Sequence, residues 1–340
     1  PYRRKSDMYV QKGKVHMPEI NTGKWLNSKE IRRDELIGKV VLVDFWDYTC
    51  VNCIRTLPYI KGWYNRYHEE GLEIIGVHAP EFAFSRTEEN VRKGIEEFEI
   101  KYPVVMDNDY KIWHSFANRY WPSKYLIDHN GYFRYAHFGE GNYIETELAI
   151  QLLLKEINPN VELPDPMKPV RDTDILGISC HRVSPELYFG FNRGKLGNPE
   201  DQKNNEVQSY KKPENIQEDT IYVEGTWLTT PEFMVPALDN PNEIAHIYLK
   251  YSSVEVNLVI NPESERDFKV SIMQDNKFLT PEDAGDDVLC NEEGESYISV
   301  KEAKLYNLVK NKDVSSHTLQ MSTTSNGFAV YAFTFTSCVI

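Results

Sequence analysis

The feature that most constrains this fold is a pair of cysteines placed directly after a buried strand. Residues 39–46 form an apolar run of strand length that contains a single acid, Asp44. The sequence Cys50-Val51-Asn52-Cys53 begins six residues after Asp44 and opens a segment with helical spacing. At such a turn, the N–H groups and the positive dipole end of a helix face the first sulfur. The arrangement is typical of a reversible dithiol–disulfide pair.

Strand and helix signals alternate over residues 36–157. Apolar runs of strand length occur at residues 39–46, 72–77, 102–106, 124–128 and 132–137. Helical spacing or helix-start signals occur at residues 54–70, 87–98, 109–118 and 143–157. The sequence His129-Asn130-Gly131 predicts a hairpin turn between the last two strands. The pattern predicts a layered α/β domain with parallel strands and an antiparallel edge hairpin.

The composition and the residue pattern of the sequence change after residue 158. A stiff linker over residues 159–184 is indicated by four prolines within eleven residues, Pro159, Pro164, Pro166 and Pro169. In residues 185–340, short runs in which apolar and polar residues alternate predominate, which predicts an all-β sandwich or jelly roll. We expect a long polar surface loop at residues 194–218 and a hairpin turn at Asn326-Gly327. Residues 1–158 then form the first domain, with an N-terminal extension.

Length and charge limit the classes of function. A chain of 340 residues suggests about two domains. The net charge of -14 argues against binding to nucleic acid or to an anionic membrane, because both need clustered Lys and Arg. No apolar run approaches the ~18 residues of a membrane-spanning helix. Because the chain begins with Pro1 rather than Met, we expect a processed or trimmed form.

The cysteine pair has three interpretations. A structural zinc site needs four ligands and usually two such pairs, whereas Cys180-His181 is the nearest further candidate and lies in another predicted region. A static disulfide across four residues stabilises a fold little. Redox exchange is therefore the favoured interpretation, with no metal and no cofactor beyond the Cys50–Cys53 disulfide itself. Cys180, Cys290 and Cys338 allow one further bridge or none.

The positions of the two thiols suggest separate roles. Cys50 at the helix start is expected to be the exposed, attacking thiolate, with its pKa lowered by the helix N-terminus. Cys53, one turn further on, is expected to be buried and to resolve the mixed disulfide. Asp44 lies in the buried strand, where a carboxylate is costly. It is expected either to accept the proton of Cys53 or to make a structural hydrogen bond.

Two segments carry a resemblance to a known family. Residues 41–54 and the sequence Trp121-Pro122-Ser123-Lys124-Tyr125-Leu126-Ile127-Asp128 resemble the extracytoplasmic thioredoxin-fold proteins of the TlpA type. The stretch from Trp46 to Cys53 is most similar to the DipZ-type group. The resemblance implies a cis-proline at Pro122 facing the dithiol, with Trp121 before it, and places Glu81 near the cysteines. Glu81 would then tune the thiol pKa or carry a proton, unless it is a solvated loop residue; His78 is taken as structural.

The resemblance to DipZ-type proteins extends beyond the linker. Residues 186–191, 225–227, 303–309 and 329–335 look like their C-terminal β-domain, which resembles a carbohydrate-binding module. That similarity implies sugar stacking on exposed aromatic rings, for which the candidates are Tyr188, Trp227, Phe233 and Tyr306. The alternative is that these rings belong to the core of the β-domain. The domain would then serve to orient the redox domain on a protein client.

These observations favour an extracytoplasmic thiol–disulfide oxidoreductase that acts on protein disulfides. The TlpA-type resemblance implies a reductant, as in cytochrome c maturation or repair of wrongly oxidised proteins, and a membrane thiol donor of the CcdA type. One rival is a thiol peroxidase on the same fold, for which Arg55 follows the dithiol. The other rival is a glycan- or protein-binding protein that uses the thioredoxin fold as a scaffold.

Overall fold

The computed structural model describes residues 14–175, 183–264 and 266–336. Residue contacts divide the chain into two units, Pro1–Val170 and Arg171–Ile340, and the predicted limits at residues 158 and 185 stay a prediction. Residues 1–13, the first part of the predicted N-terminal extension, lie outside the described residues, as do Cys180 and Cys338. No helix within the described ranges is both long enough and apolar enough to cross a membrane.

The first unit is built on a six-stranded mixed sheet. Its strands are β1 (Lys24–Leu26), β2 (Val40–Trp46), β3 (Leu72–His78), β4 (Val104–Met106), β5 (Ser123–Ile127) and β6 (Phe133–Phe138). Their spatial order is β1-β4-β3-β2-β5-β6. Strands β2, β3 and β4 are parallel, whereas β1, β5 and β6 pair antiparallel with their neighbours. The predicted α/β layer with an antiparallel edge hairpin is confirmed.

Four helices accompany this sheet: α1 (Val51–Tyr67), α2 (Glu88–Glu97), α3 (Lys111–Ser115) and α4 (Tyr143–Ile157). The prediction for α4 is confirmed at both ends. Helix α1 begins three residues before its predicted start, because Cys50 is its extended N-cap residue. Helix α3 is half its predicted length, since Tyr110 and Ala117 have left-handed backbone conformations, with φ of 57° and 51°, on either side of it.

Both faces of the sheet are buried, and side chains alternate between them along β2. Val41, Val43 and Phe45 point into one core, which includes Trp113, Phe116, Tyr125 and Ile127. Helices α1 and α4 pack on one another through Tyr59 and Tyr143, whose rings stack with centroids 3.7 Å apart. A strand that is covered on both faces has apolar residues at nearly every position, which is why β2 could be predicted from its continuous apolar run.

The second unit is β-rich, as predicted. Its strands are β7 (Leu187–Tyr188), β8 (Val207–Tyr210), β9 (Thr220–Thr229), β10 (Met234–Pro236), β11 (Ala245–Pro262), β12 (Phe268–Gln274), β13 (Lys277–Phe278), β14 (Val288–Cys290), β15 (Ser296–Val300), β16 (Lys304–Thr323) and β17 (Phe328–Thr336). They join in one eleven-stranded ladder whose main order is β14-β15-β12-β16-β11-β17-β10-β9-β8. The two long strands β11 and β16 pair along most of their length. The jelly-roll assignment stays a prediction.

Two local predictions for this unit are wrong. The predicted surface loop at 194–218 contains β8, which pairs with β9. The Asn326-Gly327 turn does not close a hairpin, because β16 and β17 lie on opposite sides of β11. The Asn326 side chain instead accepts the N–H of Leu238 at 2.7 Å and donates to its carbonyl oxygen at 3.1 Å. The asparagine therefore serves a contact between segments rather than a hairpin turn.

The first part of the proline-rich segment is bound to the first unit. The Val170 N–H donates to the Tyr59 hydroxyl at 2.7 Å, and the Met167 N–H donates to Oε2 of Glu147 at 2.7 Å. Oε1 of Glu147 also accepts from Nη1 of Arg66 at 2.7 Å and from the Tyr67 hydroxyl at 2.5 Å. Glu147 is only 1% exposed, so one buried carboxylate joins α1, α4 and the segment that follows.

Substitution Glu147→Ala is expected to lower the free energy of unfolding by about 2–4 kcal/mol, because its partners lose a buried charged acceptor. Denaturant unfolding at pH 7 measures the change. The control is Glu89→Ala, which removes a carboxylate that is 77% exposed and paired with Lys93 one turn further along α2; little change is expected there. Equal losses in both variants would contradict the role assigned to Glu147.

Candidate active site

The two cysteines of the motif form a disulfide at the start of α1. Cys50 is the N-cap residue, with extended backbone angles (φ -83°, ψ 110°), and the Cα atoms of Cys50 and Cys53 are 5.2 Å apart. The Cys53 N–H points at Sγ of Cys50, 3.3 Å away. An N–H donor and the positive end of a 17-residue helix both favour negative charge on that sulfur.

The two sulfurs differ in exposure. Cys50 is half-buried, whereas Cys53 is only 1% exposed. A client disulfide therefore reaches Cys50 first, while Cys53 is placed to react inside the protein. This is the arrangement that the expected roles of an attacking and a resolving thiol require.

The loop before the disulfide is organised by Asp47, a residue that sequence reasoning missed. Its Oδ1 accepts hydrogen bonds from the N–H and hydroxyl of Thr49, at 2.7 and 2.6 Å, and its Oδ2 accepts from the N–H of Glu81 at 2.8 Å. Its carbonyl oxygen accepts from the Cys50 N–H at 3.2 Å. The Asp-x-Thr spacing, typical of a local side-chain turn, was the available signal. Asp47 thus joins the backbone of the half-buried Glu81 to the loop that precedes the cysteines.

His78 lies beneath this loop and is fully buried. Its Nε2 is 3.7 Å from Oδ2 of Asp47, and its ring stacks against Tyr48 with centroids 5.8 Å apart. Burial lowers the pKa of His78, and the nearby Asp47 carboxylate only partly opposes this. A lowered pKa keeps the imidazole neutral at physiological pH, which is consistent with a packing role.

Asp44 faces the side of the sheet that α1 covers. It is paired in register with Gly76 on β3, and a side chain at Gly76 would collide with Tyr102. Tyr102 packs against Tyr64 of α1, with ring centroids 5.9 Å apart. Phe45, the residue after Asp44 on β2, points into the core on the other face of the sheet. The acid thus lies on the same side of the sheet as the helix that contains Cys53.

A buried lysine lies beside Asp44, and sequence reasoning assigned it no role. Lys124 on β5 is the register partner of Asp44, and the exposed fractions of the two residues are 0% and 1%. Burial raises the pKa of Asp44 to about 7 and lowers that of Lys124 to about 8, and each charge opposes the shift of the other. Oδ1 of Asp44 accepts no hydrogen bond from the described residues. The signal for Lys124 was a lysine inside an otherwise buried strand.

The peptide bond between Trp121 and Pro122 is cis, which confirms the prediction of a cis-proline. Ser123 pairs with Phe45, so Pro122 lies at the edge of the sheet where β2 ends and the cysteine loop begins. Pro122 is buried, and Trp121 is half-buried with its Nε1–H donating to the Ala79 carbonyl oxygen at 3.0 Å. The proline, the tryptophan and the Glu81 loop therefore meet at one edge.

The structure does not assemble a sugar platform from the four aromatic candidates of the β-domain. Trp227 and Tyr306 are 0% and 2% exposed and belong to the core, so their assignment to an exposed stacking surface is wrong. The alternation of apolar and polar residues along a strand does not tell which face of the sheet is covered. Here both rings lie on the covered face. Tyr188 is half-buried under the guanidinium of Arg193, 3.5 Å from the ring centroid, and Phe233 packs on another aromatic ring.

Of the remaining cysteines, the structure describes one. Cys290 on β14 is exposed and unpaired, and Cys180 and Cys338 lie outside the described residues. In the described part of the chain, no group of three His, Cys, Asp or Glu side chains is placed to hold a metal ion.

Two family models match the two halves of the chain. Residues 16–136 match the AhpC/TSA family, and residues 184–336 match a model described as "Thioredoxin like C-terminal domain". The second match covers the β-rich unit. Both matches associate the chain with thioredoxin-like proteins.

Individual relatives agree with these models. The chain is 45% identical to Protein DipZ of Mycobacterium tuberculosis over 177 residues, which is 51% of this chain and 25% of that protein. The chain thus spans about a quarter of the length of the DipZ proteins. It is 31% identical to the thiol–disulfide oxidoreductase ResA of Bacillus cereus over 134 residues, 39% of this chain and 72% of ResA.

Among solved structures, a putative thiol:disulfide interchange protein DsbE from Chlorobium tepidum aligns over 42% of this chain and 98% of its own, with 21% identity and a TM-score of 0.37. Proteins of the thioredoxin type generally use no cofactor beyond their own cysteines. On the evidence of ResA, the chain belongs to the thioredoxin-like thiol–disulfide oxidoreductases, and it is similar to the DipZ proteins over about half of its length.

Proposed function

We propose that this protein reduces disulfide bonds of protein clients outside the cytoplasm through the Cys50–Cys53 pair. The observation that carries the proposal is the disulfide at the N-terminus of α1, in which one sulfur is accessible and the other buried. The reducing direction and the extracytoplasmic location rest on the resemblance to TlpA-type proteins.

The exchange takes two steps. In the reduced protein, the Cys50 thiolate attacks one sulfur of the client disulfide and forms a mixed disulfide, and the other client sulfur leaves as a thiolate. Cys53 then loses its proton and attacks Sγ of Cys50, which re-forms the internal disulfide. The second client thiolate leaves, so two electrons pass from the protein to the client. The Cys53 N–H near Sγ of Cys50 stabilises the thiolate that begins the cycle.

Asp44 is the proposed acceptor of the Cys53 proton. Its carboxylate is buried, its Oδ1 has an unfilled acceptor position in the described structure, and it faces the α1 side of the sheet. A pKa of about 7 places the acid close to the pH at which it can both take and release a proton. Glu81 is proposed to tune the thiol pKa, since its backbone N–H is bound to Asp47 in the loop before the cysteines.

The client is proposed to bind as an extended segment beside Pro122 and Trp121. This turn lies beside the end of β2, because the next residue, Ser123, pairs with Phe45. The electron donor is proposed to be a membrane thiol protein of the CcdA type, and the clients to include proteins of cytochrome c maturation or wrongly oxidised proteins. These partners rest on the family resemblance alone.

The rival functions find less support in the geometry. A thiol peroxidase needs a Thr or Arg free to polarise the peroxide, but Arg55 is held by Glu140 at 2.7 Å and the Thr49 hydroxyl by Asp47 at 2.6 Å. We do not extend the proposal to sugar binding, because Trp227 and Tyr306 are core residues and the Tyr188 ring is covered by Arg193. For the β-rich unit we propose a role in orienting protein clients.

Substitution Cys50→Ser is expected to reduce the rate of insulin disulfide reduction, with dithiothreitol as donor, to the uncatalysed background. Cys53→Ser should retain attack but not resolution, so it should accumulate a mixed disulfide visible on a non-reducing gel. The matched control is Cys290→Ser, which removes an exposed thiol outside the site and should leave the rate unchanged. Full activity of the Cys50 variant, or peroxide consumption that exceeds disulfide exchange, would contradict the proposed function.

The redox potential of the Cys50–Cys53 couple tests the proposed direction. A reductant should equilibrate near about -270 mV and an oxidant near about -120 mV. Titration against glutathione or dithiothreitol buffers, followed by the alkylation of free thiols, measures the value. A potential at the oxidising end would reverse the direction while leaving the exchange chemistry intact.

Substitution Asp44→Asn should remove a pH dependence centred near 7 from the resolution rate, since only the carboxylate accepts a proton. The folded-state pKa of Asp44 lies above its ordinary value, so the folded protein keeps a proton that the unfolded chain loses, and the wild type loses stability as the pH rises from about 4 to about 7. Asp44→Asn does not have this loss, so the difference in the free energy of unfolding should shift in favour of the variant by roughly 3–4 kcal/mol from pH 4 to pH 7.5, while removal of the acid beside the buried Lys124 lowers the overall stability of the variant. Denaturant unfolding across that range measures it, and a pH-independent difference would contradict the buried-acid assignment.

A further inference from the structure

A serine, a histidine and an aspartate are hydrogen-bonded in series on the surface of the β-rich unit. Ser315 and His317 lie two residues apart on β16 and therefore on the same face of that strand. Oγ of Ser315 is 2.7 Å from Nε2 of His317, and Nδ1 of His317 is 2.7 Å from Oδ2 of Asp275. This is the order of nucleophile, base and orienting acid that nucleophilic catalysis by serine requires.

Asp275 is held in place by a tight turn. With Asn276 it forms the two-residue turn between β12 and β13, and both residues have left-handed backbone conformations, with φ of 51° and 62°. The Asp275 N–H donates to the carbonyl oxygen of Thr318 at 2.9 Å, and the Thr318 N–H donates to Oδ1 of Asp275 at 2.9 Å. These two contacts with β16 fix the carboxylate and leave its Oδ2 for His317.

The charge of Asp275 sets the direction of both hydrogen bonds. Burial acts to raise the pKa of Asp275, but the hydrogen bonds from His317 and the Thr318 N–H, with the charges of His317 and Lys277, lower it below its ordinary value. A carboxylate only accepts hydrogen bonds, so Nδ1 of His317 carries the proton that lies between them. In the neutral ring, Nε2 is then the acceptor for the Ser315 hydroxyl.

The base is sheltered, whereas the serine is open to solvent. Only 21% of the His317 side chain is exposed, and Tyr251 on β11 packs beside it with ring centroids 6.1 Å apart. Burial raises the pKa of Tyr251 well above its ordinary value, so its phenol stays protonated and does not compete as a base. Ser315 itself is exposed. A substrate from solvent therefore reaches the nucleophile while the base keeps one orientation.

A second serine–histidine pair in the same unit lacks the third member. Oγ of Ser322 is 2.8 Å from Nδ1 of His246. Within the described residues, no carboxylate is hydrogen-bonded to the other nitrogen of His246. The complete series is thus a specific feature of Ser315, His317 and Asp275.

The backbone offers a donor for the oxyanion that forms when an acyl group is attacked. N–H groups alternate between the two sides of an antiparallel strand. The Thr318 N–H faces Asp275, so the Ser316 N–H, two residues earlier, faces the same side. Ser252, the register partner of Ser316, likewise turns its N–H away from β16, to Oγ of Ser184 at 2.9 Å. The N–H of the residue after the nucleophile serves as an oxyanion donor in α/β-hydrolases.

We propose that Ser315, His317 and Asp275 form an acyl-transfer site that hydrolyses small carboxylic esters through an acyl-Ser315 intermediate. Nε2 of His317 takes the hydroxyl proton while Oγ of Ser315 attacks the carbonyl carbon of the ester. The bond to the alcohol oxygen breaks, and His317 gives its proton to that oxygen. Water then attacks the acyl group in the same way, so that one ester and one water yield a carboxylic acid and an alcohol.

The members of the site have different roles. Ser315 and His317 contact the reacting atoms, whereas Asp275 acts through His317 and is a positioning residue. Because the serine is exposed on a strand, short acyl groups that arrive from solvent are the class of substrate that fits. The activity belongs to the β-rich unit and does not depend on the Cys50–Cys53 pair.

The test uses the full-length oxidised protein, with its free thiols alkylated, and p-nitrophenyl acetate as the ester. The wild type should release nitrophenolate in a burst and carry the acetyl group on the peptide that contains Ser315, as mass spectrometry measures. Ser315→Ala should lose both the burst and the label. His317→Gln should lower the acylation rate about a hundredfold, which is the smaller end of what a positioned base contributes.

The matched control is Ser322→Ala, which removes the serine of the pair that lacks an acid and should keep the burst and the label. Cys50→Ser should also keep them. A label that persists in Ser315→Ala or is spread over several serines would overturn the inference, as would an unchanged acylation rate in His317→Gln. If the His317 variant does not fold, Ser315→Ala decides alone, since it replaces an exposed side chain.

The role of Asp275 has its own readout in the nitrogen-15 NMR spectrum of the His317 ring. In alkaline solution the wild-type ring should carry its proton on Nδ1. Asp275→Asn keeps the size of the side chain but removes the carboxylate, so this tautomer should lose its predominance and acylation should slow with it. An unchanged tautomer together with an unchanged acylation rate would show that Asp275 does not position the base.

Discussion

The parallel pairing of β2 with β3 is the constraint on which the site depends. Seven residues of each strand pair in register, from Val40 opposite Leu72 to Trp46 opposite His78. Both strands therefore end at the same edge of the sheet, where the loops that follow them must share space, as ligand sites in α/β folds do. The cysteine loop follows β2 and the Glu81 loop follows β3. The Asp47 carboxylate accepts hydrogen bonds from both loops and so joins them.

What the sequence could predict was set by local rules. The cysteine pair after a buried strand and the bounds of α4 depend on a few neighbouring residues, whereas the cis-proline was predicted from the family resemblance. Lys124 and Asp47 were missed because their importance comes from partners distant in sequence or on another strand. A single charged residue within an apolar run was read as significant at Asp44, and the same signal was present at Lys124.

The errors in the second unit have a related cause. Asn-Gly indicates a turn, but it does not say whether the strands on either side pair with each other, and here β11 lies between them. Aromatic residues in alternating strands can face either the core or the solvent. Trp227 and Tyr306 face the core, since the unit buries one side of a long antiparallel ladder. A few neighbouring residues are enough to indicate a turn. The order of the strands, and the face of the sheet on which a side chain lies, depend on how the whole sheet is assembled.

One small residue of α1 leaves room for a side chain of the proline-rich segment. Gly62 lies in the middle of this helix, and a side chain there would collide with the sulfur and methyl group of Met167. A glycine inside a helix costs about 0.5–1 kcal/mol of stability relative to alanine. At Gly62 this cost accompanies the packing of the Met167 side chain against α1. The backbone of this segment is held separately, by the Met167 and Val170 N–H groups. In a related chain with a larger residue at position 62, the Met167 side chain would therefore have to turn away from α1, while the hydrogen bonds of the segment could remain.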